Sequence, residues 1–484
     1  MLEITESSLK KLTDYLWEIP RDFRLDMLVP ARVYISEKML DDLFKDRSLW
    51  QTVNMTTMPG IVKYAIAMPD IHEGYGFPIG GVAAMRIEDG LISPGGIGYD
   101  INCGVRLLRS DVNHQEVEKF IPDLASQIYT NVPSGVGRGG YLKLDKTKLD
   151  SVLLKGAEFM VSQGYGKKQD LDHIESGGRL EGANPDHVSI VARSRGHDQL
   201  GTIGAGNHFV EIQKVDEIYH ETAAKALGLF KDQTCIMIHT GSRGLGHQIA
   251  TDYIRLFMKA MIKYGIQLPD RELAAAPFKS EEGQNYWQAM QAGANFAWSN
   301  RQLITHMVRK AWEKVLGPQF DELTIVYDVA HNIGKLEKHL NEEDKEIEVL
   351  VHRKGATRAF GPGHPEIPED YKSVGQPVLI PGSMATASYV LVGTTKTMEE
   401  TFGSSCHGAG RMMSRSQAKR QISGQTLKQE LESQGIIIRA GSMPGLAEEA
   451  PQAYKNVDEV VDVVHNADIA QKVVRLRPLG VIKG

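Results

Sequence analysis

Five side chains able to hold a metal ion stand at the ends of short apolar runs, each beside glycine. Asp100 and Cys103 lie in GYDINCGVR (98–106), His208 in GAGNHFVEI (204–212), His239 in MIHTGSRGLGH (237–247) and His331 in YDVAHNIGK (327–335). A strand end presents a side chain to a cleft while the strand stays rigid, and flanking glycines let a ligand approach the backbone. One carboxylate, one thiol and three imidazoles form a donor set of mixed hardness, suited to borderline divalent ions such as Mn²⁺, Zn²⁺ or Co²⁺. Five ligands exceed what an open tetrahedral catalytic site takes. A thiolate can bridge, so two ions sharing Cys103 would use all five groups and keep positions free, and paired ions suit phosphate chemistry. Against this, the five lie far apart in sequence, and a lone strand-end histidine is more often a hydrogen-bonded structural residue.

A second constellation is FGSSCHGAGR (402–411). Cys406 could attack as a thiolate with His407 as its base, but adjacent residues of an extended segment point to opposite sides. Alternatively His407 attacks: a neutral imidazole, with an unperturbed pKa of ~6.5, is nucleophilic near neutrality, and Cys406 then turns into the core. RMMSRSQAKR (411–420) follows at once and reads as a helix whose N-terminus would face this pair and favour an anion.

Glycine-rich SPGGIGYD, GTIGAGNHF and GSRGLGH offer backbone N–H groups that could cradle phosphate. None is a Walker A or dinucleotide-binding motif, and plain turns explain them equally. Arginine clusters at ARSRGH, GSRG, HRKGATR, RMMSRSQAKR and RLRPLG offer phosphate contacts or merely solvated surface. Arg193, Arg195, Arg243 and Arg411 are the candidates for phosphate contact.

Elements must position these groups. Residues 1–50 read as helical and charged, then extended. Strand-like runs recur at 61–110, HFVEIQKV, TCIMIHT, LTIVYDVAH, EIEVLVHRKG, VLIPG, SYVLVG and GIIIRAG. Residues 146–163 read as a helix, 164–200 as an ordered polar surface loop, and 247–316 as a helical insertion broken near Pro269. The predicted class is mixed α/β (α+β): a single large domain over 1–484, with mixed or antiparallel sheets around a metal-lined cleft. The last residues, with Lys483, read on pattern alone as a frayed tail.

Composition narrows the class. The 484 residues are 42% hydrophobic and 24% charged, with a formal charge of −6. No global basic field advertises a nucleic-acid partner, so local clusters must carry that role. Three cysteines without a CxxC pair fit a reducing cytoplasm. The longest apolar runs are strand-sized, so no membrane span is expected.

Taken together, GYDINCGVR, GAGNHFVE, HTGSRGLG, DVAHNIGK, HRKGATRAF, PGSMATASYV and SSCHGAGR resemble the RtcB family of RNA ligases, seven motifs in that family's order. The resemblance implies a GTP- and Mn²⁺-dependent ligase that seals RNA 2′,3′-cyclic phosphate or 3′-phosphate ends to 5′-hydroxyl ends in tRNA splicing and RNA repair. It implies a histidine–guanylate intermediate and an RNA(3′)pp(5′)G end. Two Mn²⁺ ions are implied, one on Asp100, Cys103 and His208, the other on Cys103, His239 and His331, with His407 guanylylated. Implied guanylate contacts are Asn207, His208, Phe209, Val210, Glu211, His331, Asn332, Pro381, Gly382, Ser383, Met384, Ser388, His407, Gly408, Ala409, Gly410, Tyr454 and Lys483. Partners are RNA and GTP, with archease as the family's helper, whose requirement the residues do not specify. Asp70 and His72, in AMPDIHEGYG, are expected near the site and receive no role. The rival readings are a dimetal phosphoesterase, with His407 as a general acid or phosphate contact, and a non-enzymatic RNA-binding module.

Overall fold

The computed structural model describes residues 3–135 and 137–484. Its strands gather into two large sheets. One runs Lys10–Lys11, Leu16–Ile19, Ala31–Tyr34, Ala65–His72, Ile79–Arg86, Glu346–Lys354, Asn332–Leu340. The other runs Thr324–Ala330, Gly104–Asn113, Gln233–Thr240, Phe209–Ile218, Ala470–Lys483, Ser388–Gly393, Pro377–Ile380, with Ile437–Ala440 also paired to Ala470–Lys483. Pairing is antiparallel except for Ala31–Tyr34 with Ala65–His72 and Ile437–Ala440 with Ala470–Lys483. A short ribbon joins Ala356–Arg358 to Ser404–Cys406. The class is the mixed α+β one predicted from the strand and helix patterns.

Ala65–His72 and Ile79–Arg86 are buried almost throughout, which explains their continuous small apolar character. The helical block consists of Arg243–Lys263 and Glu281–Leu316. The first is amphipathic, with Leu245, Ile249, Tyr253, Phe257 and Ala260 inside. The second is buried on every side over residues 289–305. It therefore runs through the interior, and its polar residues reach other elements: Asn295 bonds Leu153 and Leu180, and Asn300 bonds Gly201, Thr202 and Gly241.

Four local expectations are corrected. Residues 10–19 form a hairpin, Lys10–Lys11 against Leu16–Ile19, instead of a helix. Leu16, Trp17 and Ile19 are all buried, so this is a strand covered on both faces and stopped by Pro20. The 164–200 segment is ordered but not merely superficial: Asp170 receives a bidentate pair from Arg309, and Glu175 accepts the Ala330 N–H. The helix after FGSSCHGAG begins only at Arg415, capped by Ser414, four residues later than the pattern suggests. The final residues form a fourteen-residue strand at the centre of the second sheet, where Lys483 pairs with Phe209 and Ala440 and is fully buried.

Candidate active site

The second sheet explains how distant residues meet. Thr324–Ala330, Gly104–Asn113, Gln233–Thr240 and Phe209–Ile218 are neighbours and alternate in direction. One edge therefore collects a strand end, a strand start, an end and a start. His331 follows the first strand, Cys103 precedes the second, His239 is the penultimate residue of the third, and His208 precedes the fourth. The register fixes their height: Gly104 faces Ala330 and Thr240, and His239 faces Val105 and Phe209.

Arg301, from the interior helix, braces this edge. Its guanidinium donates to the carbonyls of Asn102 (2.8 Å) and Thr240 (2.9 Å) and to Asn102 Oδ1 (2.9 Å). It also pairs with both oxygens of Asp328, at 2.9 and 2.8 Å. One buried cation thus ties the loop before Cys103 to the residue after His239. Asn102 adopts a positive φ of 52°, a conformation that its side-chain bond to Arg301 helps to hold.

The donors converge in two groups that share Cys103: Cys103, His239 and His331, and Asp100, Cys103 and His208. Cys103 Sγ lies 3.2 Å from His208 Nε2 and 3.5 Å from His239 Nε2, His239 Nε2 lies 3.3 Å from His331 Nε2, and His208 Nε2 lies 3.0 Å from Asp100 Oδ2. Burial, followed by neighbouring histidine charge, pushes His239 and His331 well below the usual imidazole range, which leaves them neutral with lone pairs to offer. Burial and then the Asp100 carboxylate push the Cys103 thiol well above its ordinary value. A thiol facing an anion and neutral imidazoles ionises readily only with a cation at hand. The donor set therefore fits divalent ions, with Cys103 positioned between the two groups.

His407 lies beside this cluster, its ring centroid 4.9 Å from that of His331. The preceding strand, Ser404–Cys406, turns Cys406 fully inward, where burial raises its thiol well above the ordinary value. His407 emerges on the cavity side. Asp70, fully buried at the end of Ala65–His72, meets it: one oxygen, Oδ2, accepts from His407 Nδ1 at 2.5 Å, His407 N at 2.9 Å and Gly408 N at 3.2 Å. Burial alone would raise this carboxyl; the His407 charge and hydrogen bonds outweigh it and hold it below the usual range. With Nδ1 engaged by Asp70, Nε2 is the ring nitrogen left for chemistry. His72 hydrogen-bonds through Nδ1 to the Asp70 carbonyl (2.9 Å), and burial lowers it to about 4. Sequence reasoning gave Asp70 no partner; the only signal was a carboxylate near the end of an apolar strand.

A cavity of about 570 Å³ contains Asp100, Cys103, His208, His239, His331, Asn332 and His407, with Arg243, Lys354 and Arg415 in its wall. A second lobe of about 160 Å³ shares Asn207, His239, His407 and Arg415 and adds Pro381, Gly408, Ala409, Gly410, Arg411 and Tyr454. Asn207 donates to the Gly382 carbonyl (3.2 Å) and accepts from Lys483 Nζ (3.0 Å). Burial raises Glu211 to about 7 and lowers Lys483, the two lying near each other in the interior. Phe209, Val210, Met384 and Ser388 are buried behind the wall, and Ser383 is 1% exposed. Ser388 Oγ accepts from Gly382 N and from Gln213. Tyr454 is pinned by Glu449 and Arg411, whose guanidinium lies 5.0 Å from its ring.

The arginines divide. Arg243 lines the larger lobe and donates to Thr202 Oγ1 at 2.9 Å. Arg411 reaches the smaller lobe, but its donors go to Glu449, Tyr454 and the Glu448 and Met413 carbonyls. Arg193 is committed to Asp150 and to the Pro185 and Val188 carbonyls, and Arg195 is exposed; neither lines the cavity. Arg415, which the sequence reading did not single out, lines both lobes with a half-exposed side chain.

A family model described as tRNA-splicing ligase RtcB matches residues 51–484. The chain belongs to the RtcB family. It is accordingly an RNA ligase. A protein named tRNA-splicing ligase RtcB from Thermococcus kodakarensis is 56% identical over 478 residues, covering 98% of this chain and 99% of that one. A protein of the same name from Archaeoglobus fulgidus is 55% identical over 481 residues, covering 99% of each. One from Pyrococcus furiosus is 57% identical over 386 residues, covering 79% of this chain and 40% of the relative. The RtcB family carries the sequence resemblance through. No helix among the described residues is long and apolar enough to cross a membrane.

Proposed function

We propose that this chain seals RNA 2′,3′-cyclic phosphate or 3′-phosphate ends to 5′-hydroxyl ends in tRNA splicing and RNA repair, using GTP through a guanylate on His407. The observation that carries the reading is the pairing of His407 Nδ1 with buried Asp70 beside five converging metal donors. Nε2 of His407 attacks the α-phosphorus of GTP: an N–P bond forms, a P–O bond breaks and pyrophosphate leaves. Asp70 keeps the Nδ1 proton in place and balances the charge that develops on the ring. A 2′,3′-cyclic phosphate is first hydrolysed, water adding at phosphorus as the P–O2′ bond breaks and the 2′-hydroxyl takes the proton; an oxygen of the RNA 3′-phosphate then attacks the guanylate phosphorus and displaces His407, giving an RNA(3′)pp(5′)G end. The 5′-hydroxyl oxygen attacks the 3′-phosphate, a phosphodiester forms and GMP departs. A bare 3′-phosphate has no good leaving group; joining it to GMP provides one. Divalent ions, Mn²⁺ on the resemblance, held by Asp100, Cys103, His208, His239 and His331 would supply charge neutralisation at the phosphoryl oxygens.

The two-lobed cavity supports a division of labour, with the Asn207, Pro381, Gly408–Gly410 and Tyr454 side, backed by Lys483 through its bond to Asn207, for the guanylate and the Arg243 side for RNA. Free Cys103, Cys235 and Cys406 suit a reducing cytoplasm. Incubation with α-labelled GTP and Mn²⁺ tests the proposal. The protein should retain acid-labile, alkali-stable label, and His407→Ala should abolish it. A dimetal phosphoesterase would release phosphate from RNA ends and carry no label, and that result would overturn the proposal.

A further inference from the structure

The larger lobe has a feature that the guanylate chemistry leaves unused. Tyr75, Tyr99 and His247, from three separate segments, line it in a row. The Tyr75 and Tyr99 rings meet edge-on, with centroids 5.6 Å apart and planes at 65°. Tyr99 and His247 stack at 4.8 Å and 28°. His247 is exposed, and both tyrosines are half-buried.

The row is held in place. Gly74 pairs through both backbone groups with the Gln51 amide (2.7 and 3.0 Å), and the Tyr75 carbonyl accepts from Lys354 Nζ (2.5 Å). Gly76 N–H donates to Glu272 (3.1 Å). Tyr99 directly precedes Asp100, so its ring is fixed relative to the metal donors. Arg243 lines the same lobe.

Rings open to a cavity that also holds a cation and a metal-type donor set form a stacking platform with a phosphate anchor in the same lobe. We propose that Tyr75, Tyr99 and His247 stack the terminal base of an RNA strand end, so that the end group lies against Arg243 and the metal donors. The inference rests on the ligase reading above and deepens it: the platform grips any base by its face, which makes end capture indifferent to sequence.

The test uses the full chain without GTP and short RNAs ending in a 3′-phosphate or a 5′-hydroxyl. Each carries 2-aminopurine either at the terminal position or well inside the strand, or has an abasic terminus. Terminal 2-aminopurine should be quenched on binding and the internal probe much less. His247→Ala and Tyr75→Leu should weaken binding of base-bearing ends about tenfold, as expected for one lost stacking contact, and Tyr75→Phe should stay within about twofold of the parent on the same principle. Abasic ends should bind the parent and the variants alike, and the slope of log Kd against log salt should not change, because no phosphate contact is removed. If the variants lose the same factor on abasic and base-bearing ends, or if terminal 2-aminopurine at neither kind of end is quenched, the platform is wrong. A parent that labels with GTP yet behaves this way refutes only the platform, whereas a parent that takes no label refutes the ligase chemistry itself.

Discussion

Replacing Asp70 by asparagine isolates the charge behind His407. The Oδ2 atom accepts three hydrogen bonds, from the ring at 2.5 Å and from two amides at 2.9 and 3.2 Å. Asparagine keeps an oxygen for the amides and nearly the same volume, so the segment should hold its shape. The ionic component of the ring bond is lost. Hydrogen bonds to charged groups contribute roughly 1.5–3 kcal/mol, so guanylylation should slow by about 10- to 150-fold. If the amide turns its NH₂ toward Nδ1, the proton moves to Nε2, the attacking atom is blocked, and the loss approaches about 10⁴, as when a carboxylate that fixes an imidazole tautomer is neutralised in a hydrolytic triad. The assay is rapid-quench transfer of α-labelled GTP at saturating nucleotide and Mn²⁺, with thermal unfolding followed in parallel. A D70N protein that melts like the parent and labels within about threefold of its rate would refute the assigned role, because that loss lies below the weakest charge-assisted bond.

Cys406→Ala should still take up label from GTP within a small factor, because the thiol is fully buried and raised well above its ordinary value; loss of label with the fold intact would make the thiol the nucleophile. Arg301→Lys replaces a five-bond brace by a single ammonium, so Mn²⁺ affinity, read by electron paramagnetic resonance of the free ion, should fall about tenfold or more through loosened Cys103 and His239 loops. Burial lowers Lys354 to about 7. Its unfolded value lies near 10.4, so between those limits the unfolded chain holds the extra proton and the parent gains stability as pH rises. The stability difference between Lys354→Met and the parent, from denaturant unfolding, should therefore shift toward the parent by roughly 4 kcal/mol from pH 7 to pH 10; a pH-independent difference would contradict the lowered value.

Residue type and strand-end position sufficed to nominate Asp100, Cys103, His208, His239 and His331, because antiparallel neighbours bring alternate starts and ends to one edge. The register that aligns them depends on long-range pairing that no local pattern encodes. The choice of His407 over Cys406 came from the family resemblance, with which alternation along an extended segment agrees, and Cys406 is buried. The partner of Asp70 and the bracing role of Arg301 lay beyond sequence reasoning: one acts across 337 residues and the other from the middle of a long helix. Pattern alone reads Lys483 as a loose end, against its place in the resemblance's guanylate contacts, because a Pro- and Gly-containing basic tail gives little sign of a central strand; bulges in its pairing with Phe209–Ile218 accommodate Pro478. The N-terminal hairpin was misread because apolar residues buried on both faces mimic helical spacing.

His331 stands where the chain leaves one sheet and enters the other, with Thr324–Ala330 before it and Asn332–Leu340 after it. Asp70 arrives from the seven-stranded layer, while Cys103, His208 and His239 arrive from its neighbour. Reactive atoms drawn from both layers make turnover a gauge of how the layers are docked. Gentle heating or dilute urea that lets one layer creep against the other would silence the protein while its far-ultraviolet dichroism still looked native.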